Sequence, residues 1–534
     1  MHESRSPLIH FHQIIEQETK RYRNMDKNDI KKLLQKGERL TLEAKLAKTD
    51  VPKSVWESYS AFANTMGGTI LLGVFEDMKE KDPTKRFQIE GVDEAEKIRK
   101  DFWNTINSNK VSDNILTDSD VEVVDVDGKQ IVCIHVPMAD WHVKPVYLNE
   151  NVYKNTFKRN HEGDYHCTEQ QVRAMIRDSY EGGNDGALME HYDMNDVDSD
   201  TLRRYRTLFQ FRNEGHVWNE VDDKTFLKNL GGYIVDRETG KEGLTMAGLM
   251  MFGKGLSIQE RFANFRMDYI DFCNLIGEER YSDRLTYDGR WENNLYQFFS
   301  RVIPKVTFDL PRPFRMEGIQ RVDDTPLHKA VREAFTNAII HADILLESGV
   351  LRIEKHEDRL VFRNPGLLML PLKDIYEGGV SKARNPKMQN MLRMIGYGEN
   401  LGSGFPMILG AWKQAAWGEP VLENRLEVDE VALVLPIKRI EGTAPKSDPK
   451  SDPKSDPKSD PQNRKSGPPK LSPQERLDMI IAHIKGNPSI TREEIADMIG
   501  VGRTTILKDL RILKEQYGVH YEGPSKTGKW VIDK

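Results

Sequence analysis

Glu333-Ala334-Phe335-Thr336-Asn337-Ala338-Ile339-Ile340-His341 is the stretch of sequence that decides how the rest of the chain is interpreted. Its pattern predicts one helix, on which Glu333, Asn337 and His341 are spaced four residues apart and therefore share one face. An acid, an amide and an imidazole are unusual together on an otherwise apolar helix. A glycine-rich turn, Gly402-Ser403-Gly404, follows downstream, and the two motifs together indicate a nucleotide pocket.

Length and composition favour a soluble protein of several domains. The chain has 534 residues, 38% of them hydrophobic and 30% charged, which predicts three or four domains. No apolar run approaches the ~20 residues of a membrane helix, and the N-terminus lacks the layout of a signal peptide. The 3 cysteines are few and odd in number, which disfavours a disulfide framework and predicts a cytoplasmic protein. Because the net charge is −6, contacts to nucleic acid must come from local basic patches.

Composition and periodicity predict an α+β multidomain architecture. Lys446-Ser447-Asp448-Pro449 begins a unit that occurs four times in a row, and its regular prolines exclude a helix and indicate a linker. The predicted segments are an N-terminal helical extension (1–25), an α+β domain (26–178), a helical or winged-helix connector (185–320), a nucleotide-binding domain (321–440), the linker (441–470) and a terminal winged helix-turn-helix domain (471–534).

Carboxylates are grouped near the start of the α+β domain. Glu43 and Lys45 are two residues apart on a predicted strand, so both point to one face. With Glu38, and with Glu76 and Asp77 beyond a glycine-flanked strand, they would form a carboxylate cluster for Mg²⁺ or Mn²⁺ that activates water for phosphodiester cleavage. The alternative is a solvated strand face with a surface ion pair.

This region resembles the Schlafen AlbA-type domain. The resemblance rests on 37–45, on Ala61-Phe62-Ala63-Asn64-Thr65-Met66-Gly67-Gly68 and on Leu72-Gly73-Val74. It implies nucleic-acid binding, and Schlafen proteins proper include endoribonucleases that use three carboxylates. Two of these match Glu38 and Glu43. The third, an aspartate in the family, falls at Glu76 or Asp77, so the sequence departs from the family there.

Basic and aromatic residues alternate later in the same domain. Lys144, Lys158 and Arg159 are interspersed with Tyr147 and Phe157, which suits phosphate contact and base stacking. The alternative is ordinary strand residues, from a strand predicted near 152–157, with exposed lysines.

The central helix resembles the N-box of Bergerat-type ATPases. Glu333 and Asn337 match the family's water-polarising glutamate and its asparagine, which reaches the Mg²⁺ held by the ATP phosphates. His341 lies on the same face. Gly402 and Gly404 are similar to the family's second glycine box, where backbone N–H groups approach the phosphates.

The first box of that family is altered in this sequence. It normally supplies an aspartate for the adenine amino group and then Gly-x-Gly, whereas this strand ends in Asn364-Pro365-Gly366. An asparagine offers an amide oxygen without charge, so we expect adenine recognition to differ. Together with Lys382 and Arg384, which would close on the phosphates, this resembles a divergent branch (HATPase_c_4) whose bacterial members commonly follow an AlbA-type domain and are labelled transcriptional regulators. The alternative is a degenerate pocket retained for packing.

The terminal segment has the pattern of a winged helix. Five residues of its third helix are predicted to contact DNA, the first three at base edges and the others at phosphates: Arg503, Thr504, Thr505, Lys508 and Arg511. Strands at 519–521 and 530–532 would form the wing. Protein contact is the alternative use of this domain. The glycines at 523–528 nearly match a P-loop, but Trp530 replaces the Ser/Thr that ligates Mg²⁺, so a motor helicase is not indicated.

Two functions follow from these patterns. The leading hypothesis is a nucleotide-responsive regulator that binds DNA or RNA, in which ATP·Mg²⁺ changes how the flanking domains are arranged. The rival is a Schlafen-like metal-dependent endonuclease, acting on RNA or single-stranded DNA in phage defence. A homodimer or higher homo-oligomer would fit the Bergerat group by analogy.

Overall fold

A computed structural model describes most of the chain. The described residues are 25–36, 40–77, 79–80, 82, 85–161, 163–275, 279–312, 316–317, 320–321, 324–398, 402–437, 473–488, 490, 494–495, 498, 506, 509–510, 512–514, 518–522 and 529–532. By internal contacts the chain divides into two compact units, Met1–Ser447 and Asp448–Lys534. Of the predicted N-terminal extension (1–25), only Met25 is described. The predicted linker (441–470) lies wholly outside the described residues.

The described residues of the N-terminal module, 25–178, form four α-helices and eight strands. The helices are α1 (Lys27–Lys36), α2 (Val55–Asn64), α3 (Ala95–Ile106) and α4 (Glu169–Asp178). The strands are β1 (Leu42–Lys45), β2 (Gly68–Leu72), β3 (Val74–Glu76), β4 (Phe87–Ile89), β5 (Val121–Val126), β6 (Lys129–Val136), β7 (Phe157–Asn160) and β8 (Gly163–His166). Four of these strands form a mixed sheet in the order β1-β2-β6-β5, in which β1 and β2 are parallel.

Both faces of this sheet are covered, because its central strands carry apolar residues on both sides. Leu71 and Cys133 pack with α1 on one face, while Ile70 and Ile134 pack with α2 and α3 on the other. Asp127-Gly128 joins β5 and β6 in a hairpin, and both residues have positive φ, as a type I′ turn requires. The strand predicted near 152–157 is wrong: residues 152–155 form a turn, and β7 begins at Phe157.

The second module, residues 185–437, contains nine helices and ten strands among the described residues. The helices are α5 (Ser199–Arg212), α6 (Asp223–Leu230), α7 (Met246–Phe252), α8 (Gly255–Arg261), α9 (Leu295–Thr307), α10 (Pro326–Ile340), α11 (Leu372–Glu377), α12 (Pro386–Met394) and α13 (Gly404–Ala415). The strands are β9 (Tyr233–Val235), β10 (Glu242–Leu244), β11 (Arg266–Asp271), β12 (Asp283–Thr286), β13 (Met316–Glu317), β14 (Gln320–Arg321), β15 (Val350–Lys355), β16 (Arg359–Pro365), β17 (Val421–Arg425) and β18 (Glu430–Pro436).

Six of these strands form one mixed sheet, in the order β12-β11-β15-β16-β18-β17. Strand β11 pairs in parallel with β15, whereas the other neighbours are antiparallel. The sheet therefore begins at Arg266, so the boundary predicted at 321 cuts through it. The parallel pair needs a long crossover between its strands, and α9 and α10 lie within that crossover.

Residues 333–340, within the stretch predicted as one helix, form the second half of α10, which starts at Pro326. Thr325 caps it by accepting a hydrogen bond from the His328 amide, and Pro326 occupies the first turn, where a missing N–H costs nothing. The helix ends at Ile340, with His341 as its C-cap. It packs against α9, α12, α13 and strand β16, so its apolar face lies in the core of the module.

The two faces of the six-stranded sheet differ in chemistry because side chains alternate along each strand. Leu360, Phe362 and Asn364 point toward α10, whereas Arg363 lies on the opposite face and pairs with Glu354 and Glu430. The polar Asn364 is thereby placed on the helix-facing side, next to Val431 in register.

The terminal unit is described in part. Helix α14 (Pro473–Gly486) matches the predicted first helix, and strands β19 (His520–Glu522) and β20 (Lys529–Val531) pair antiparallel, as the predicted hairpin requires. Trp530 anchors this hairpin by donating its indole N–H to the carbonyl of Ile490 at 2.9 Å. Arg503, Thr504, Thr505, Lys508 and Arg511 lie outside the described residues, so the winged helix stays a prediction.

Among the described residues, no helix combines the length and the apolar character needed to cross a bilayer.

Candidate functional site

A cavity opens beside the central helix in the second module. It is bounded by α10, by the helix-facing side of β16 and β18, by the segment 367–370 and by the start of α13. Eight residues that the sequence predicts for a nucleotide site line this cavity. They are Glu333, Asn337, His341, Asn364, Lys382, Arg384, Gly402 and Gly404. The mixture of apolar walls with a few polar groups is typical of small-molecule sites.

Two amides in this cavity have unused hydrogen-bonding capacity. Asn364 is only 6% exposed, yet its side chain forms no hydrogen bond with any described residue. The side chain of Asn337, one turn before the end of α10, likewise has no partner among the described residues. A buried amide without a partner costs free energy, so Asn364 is suited to a polar ligand, and the partly exposed Asn337 offers its amide to the same cavity.

The glycines of the second motif hold the backbone close to the central helix. A Cβ at Gly404 would clash with the Glu333 carboxylate, so any side chain at this position would displace that carboxylate. Gly402 has φ of +64° and lies against the backbone of Val380. Helix α13 starts at Gly404, and its N-terminus, the positive end of the helix dipole, therefore faces the cavity beside Glu333.

His341 contributes a neutral ring to the cavity. Burial, with a smaller effect of the Arg384 guanidinium, lowers the pKa of His341 to about 4. The imidazole is therefore uncharged at neutral pH and can accept as well as donate a hydrogen bond.

Lys382 and Arg384 contact both the cavity and the N-terminal module. The Arg384 guanidinium is almost fully buried and donates to both oxygens of Asp178, at 2.9 and 2.7 Å. It also donates to the carbonyls of Leu367 and His341. The Lys382 ammonium donates to the carbonyl of Tyr180 at 3.2 Å and lies 3.5 Å from the centre of the Trp141 ring. Both residues were predicted to hold phosphates, and the structure also places them at the contact between modules. Asp178 gave no signal in the sequence because it lies 206 residues away from its partner.

Gly366 belongs to the edge of the same site. It does not line the first cavity, but its φ is +96°, and a Cβ there would meet the Arg384 guanidinium at 2.7 Å. Glycine is therefore required at position 366 for the Arg384 side chain to pack against the end of β16.

In the N-terminal module, the predicted carboxylates are engaged by cations. Glu43 and Lys45 lie on one face of β1, as predicted, with Nζ to Oε1 at 2.8 Å. The other oxygen of Glu43 accepts from Arg159 at 2.7 Å. Glu76 pairs with Arg86, and Asp77 follows it at the end of β3. Among the described residues, which exclude Glu38, no group of three or more His, Cys, Asp or Glu side chains could hold a metal ion. The metal cluster stays a prediction.

Arg159 is not part of an exposed basic surface, which corrects the expectation from the sequence. Its side chain is 1% exposed and donates to Glu43, to Asp164 at 2.9 Å and to the carbonyl of Leu42 at 3.0 Å. These partners hold β7 against β1, so the guanidinium has a structural role. Lys144 and Lys158 are partly exposed and line a second cavity, together with the polar edge of Arg159.

Comparison with known proteins identifies related regions along the chain. Residues 38–168 match the family described as "Schlafen, AlbA_2", residues 350–435 the family described as "Putative ATP-dependent DNA helicase recG C-terminal", and residues 173–268 a domain of unknown function, DUF8451. No curated protein matches the chain.

Two solved structures align with the chain. The DIP2311 protein from Corynebacterium diphtheriae is 16% identical over 92% of each chain, with a TM-score of 0.37. The N-terminal domain of a "Putative ATP-dependent DNA Helicase RecG-related Protein" from Nitrosomonas europaea is 26% identical, over 27% of this chain and 94% of that one, with a TM-score of 0.22.

The family matches coincide with the two modules that carry the candidate sites. The Schlafen AlbA_2 match covers the sheet of the N-terminal module, and the RecG C-terminal match covers the strands that border the first cavity. The chain is similar to these two families over those residues, and the similarities indicate a nucleic-acid-binding, ATP-related protein.

Proposed function

We propose that this protein is a nucleotide-responsive regulator that binds nucleic acid through its N-terminal module and ATP in the first cavity. The observation that carries the proposal is the double role of Arg384. It lines the cavity that the glycine motif and α10 enclose, and it forms a buried ion pair with Asp178 of the N-terminal module. A ligand that changes the position of Arg384 therefore acts directly on the contact between the two modules.

The residues of the first cavity fit ATP with a divalent cation. Asn337 offers an uncommitted amide oxygen to the cation, a ligand type that Mg²⁺ accepts. The N-terminus of α13 and the Lys382 ammonium offer positive charge to the phosphates, and Asn364 offers its amide to the base. Bound Mg²⁺·ATP would supply the concentrated negative charge to which Lys382 and Arg384 respond.

A titration with a fluorescent ATP analogue tests the nucleotide site. We expect saturable binding to the wild type and binding at least about tenfold weaker to Asn337→Ala, because one charge-assisted contact contributes about that factor. Asn104→Ala, an exposed asparagine on α3, is the matched control and should bind as the wild type does. Equal binding by all three proteins would remove the cavity from the proposed function.

The nuclease hypothesis has one supporting observation, the partly buried contact of Glu43 with Lys45 on β1 within the Schlafen AlbA_2 match. Incubation with tRNA, single-stranded RNA and single-stranded DNA in Mg²⁺ or Mn²⁺ tests it. Cleavage that Glu43→Gln abolishes would favour the nuclease. Glu43→Gln is preferred to alanine, since the amide can still accept the hydrogen bond from Arg159 and keep β7 in place. Intact substrates under all these conditions would count against cleavage.

A further inference from the structure

A second cavity lies between the N-terminal module and the six-stranded sheet module. Helix α4, the end of α2 and strand β7 form one wall, while the segment 366–369 and the loop before β18 form the other. It is distinct from the first cavity, although the two are separated only by a thin partition. Leu367, Leu368, Met369 and Arg384 line both.

Three polar bridges between the modules surround this cavity. Gln171 donates its amide to both carboxylate oxygens of Asp429 at 3.0 Å. Arg177 pairs with Asp343 at 3.0 Å, and Arg384 pairs with Asp178 at 2.7 Å. The three aspartates that line the cavity therefore already accept hydrogen bonds from protein groups.

The polar groups that the cavity still offers are donors. The Lys158 ammonium forms no hydrogen bond or ion pair with any described residue, and the Lys144 ammonium donates only to the carbonyl of Asn64, at 3.1 Å. The indole N–H of Trp141 and the side-chain N–H₂ of Asn424 have no acceptor among the described residues. Burial lowers the pKa of Lys144 to about 8, so this amine is still mostly protonated at neutral pH.

The rest of the wall is apolar. Six side chains from both modules provide flat or flexible hydrocarbon and thioether surface: Met175, Leu346, Leu367, Leu368, Met369 and Leu426. A ligand that fits such a site combines an apolar, planar body with an anionic group that accepts hydrogen bonds.

We propose that the second cavity binds one phosphate-bearing nucleoside unit, with its phosphate at Lys158 and Lys144 and its base between the leucine and methionine side chains. This deepens the proposed function, on which it rests, by naming the unit that the N-terminal module holds. Two sources share this chemistry, a free mononucleotide and one unit of a single-stranded nucleic acid. A base inside a duplex is stacked and paired, so we expect duplex to bind more weakly than single strands.

The wall shared by the two cavities indicates that their ligands would interact. A base in the second cavity and a nucleotide in the first would contact opposite sides of Leu367, Leu368 and Met369. Each ligand would therefore affect the binding of the other through the same segment.

Binding of short probes to the full chain tests the proposal. The probes are UMP, AMP, inorganic phosphate, single-stranded RNA and DNA octamers, an octamer with abasic sites, and duplex DNA. We expect base-bearing single strands or mononucleotides to bind at least about tenfold more tightly than the abasic octamer or phosphate, because burial of one base against apolar side chains contributes about that factor. Binding by mononucleotides identifies a free-ligand site, and binding by octamers alone identifies a nucleic-acid site.

Two matched pairs of variants place the binding in the cavity. Lys158→Ala should weaken it at least about tenfold, while Lys100→Ala, which removes an exposed lysine from α3, should not. Met175→Trp fills the cavity and should block binding. Ile176→Trp adds the same ring at the adjacent position of α4, which is 41% exposed, and should leave binding intact.

The outcomes separate this proposal from the proposed function. If octamers bind and the ATP analogue binds, but Lys158→Ala and Met175→Trp behave as their controls do, the cavity site is wrong and the proposed function stands. If the abasic octamer binds as tightly as the others, only backbone charge is recognised and the base site is wrong. If no nucleic acid or mononucleotide binds while the ATP analogue does, both the cavity site and the nucleic-acid part of the proposed function fail.

Discussion

Asn364 is the residue at which this chain departs most clearly from the ATPases that its sequence resembles. A carboxylate at the end of this strand only accepts hydrogen bonds, so it favours the amino group at position 6 of adenine over the carbonyl oxygen at position 6 of guanine. The Asn364 amide both donates and accepts, and it has no competing partner among the described residues. At this position the chain therefore loses a reason to prefer adenine over guanine.

We predict that the wild type discriminates weakly between ATP and GTP analogues and that Asn364→Asp increases the preference for ATP about tenfold. The carboxylate would accept the adenine amino hydrogen and repel the guanine oxygen. Competition of ATP and GTP against one fluorescent analogue measures the ratio. An unchanged ratio in Asn364→Asp would show that this side chain does not contact the base.

The low pKa of His341 leads to a prediction about how the free energy of unfolding changes in acid. Its pKa is about 4 in the folded protein and about 6.5 in an unfolded chain, so below pH 6.5 the unfolded state binds a proton that the folded state does not. Its contribution to stability is complete above pH 6.5 and is lost as the pH falls toward 4. Because the ring faces an open cavity, we expect a loss of about 1–2 kcal/mol.

Thermal unfolding between pH 7 and pH 4.5 measures this effect. His341→Gln keeps a polar side chain that does not titrate, so its unfolding temperature should fall less over this range than that of the wild type. The exposed His191→Gln is the control and should follow the wild type, since this histidine lies at the surface. Parallel curves for wild type and His341→Gln would contradict the assignment of a neutral, buried ring.

At the scale of elements, helix α13 contains two glycines whose surroundings differ. Gly404 touches Glu333, whereas a Cβ at Gly410 would meet no atom within 4 Å. We predict that Gly410→Ala stabilises the protein by about 0.5–1 kcal/mol, since alanine is the better helix former. Gly404→Ala should displace the Glu333 carboxylate, destabilise the fold and weaken binding of the ATP analogue.

Chemical denaturation and the analogue titration, carried out on both variants, check this prediction. If Gly404→Ala were as stable as Gly410→Ala and bound the analogue normally, the close contact between α13 and α10 would not matter for the site. Gly410→Ala also controls for the change in helix propensity itself.

The elements differ in how far the sequence could predict them. The helical stretch 333–341 was predicted because its residue spacing is a local signal, whereas the first seven residues of α10 were not assigned from that stretch. The attachment of β11 and β12 to the six-stranded sheet was missed, since nothing in 266–286 indicates a partner at 350–355. The surface assignment of Arg159 failed for a similar reason. Its partner Glu43 lies 116 residues away, and alternating basic and aromatic residues occur on buried and exposed strands alike.

The residues of the candidate site also differ in how far the sequence could predict them. Glu333, Asn337, Gly402 and Gly404 were assigned to one cavity from a family pattern, and the fold does bring them together. Asp178, which completes the contact at Arg384, belongs to another module and has no pattern of its own. Long-range electrostatic partners are decided by the tertiary fold, so a single sequence does not reveal them.

At the scale of the whole molecule, the buried pair Arg384–Asp178 joins the two modules. The two side chains are 5% and 14% exposed, so Asp178→Asn would leave a buried guanidinium without its counterion. We predict a loss of about 3 kcal/mol in unfolding free energy. Glu169→Gln breaks an exposed pair on the same helix, with side chains 64% and 62% exposed, and should cost less than about 0.5 kcal/mol. Equal effects of the two variants in denaturant unfolding would show that the pair is not buried.

The same pair should also transmit the effect of one ligand to the other. If ATP in the first cavity and a single strand in the second both act on the 367–369 partition and Arg384, then each changes the affinity of the other by the same factor, because coupling free energies are reciprocal. We predict a factor of about five or more, measured as octamer affinity with and without the ATP analogue, and as analogue affinity with and without octamer.

In Asp178→Asn, at a temperature where the variant is folded, both ligands should still bind, but the factor should approach one. A factor that persists in this variant would mean that the partition alone couples the cavities, and unequal factors in the two directions would mean that the ligands compete for another site.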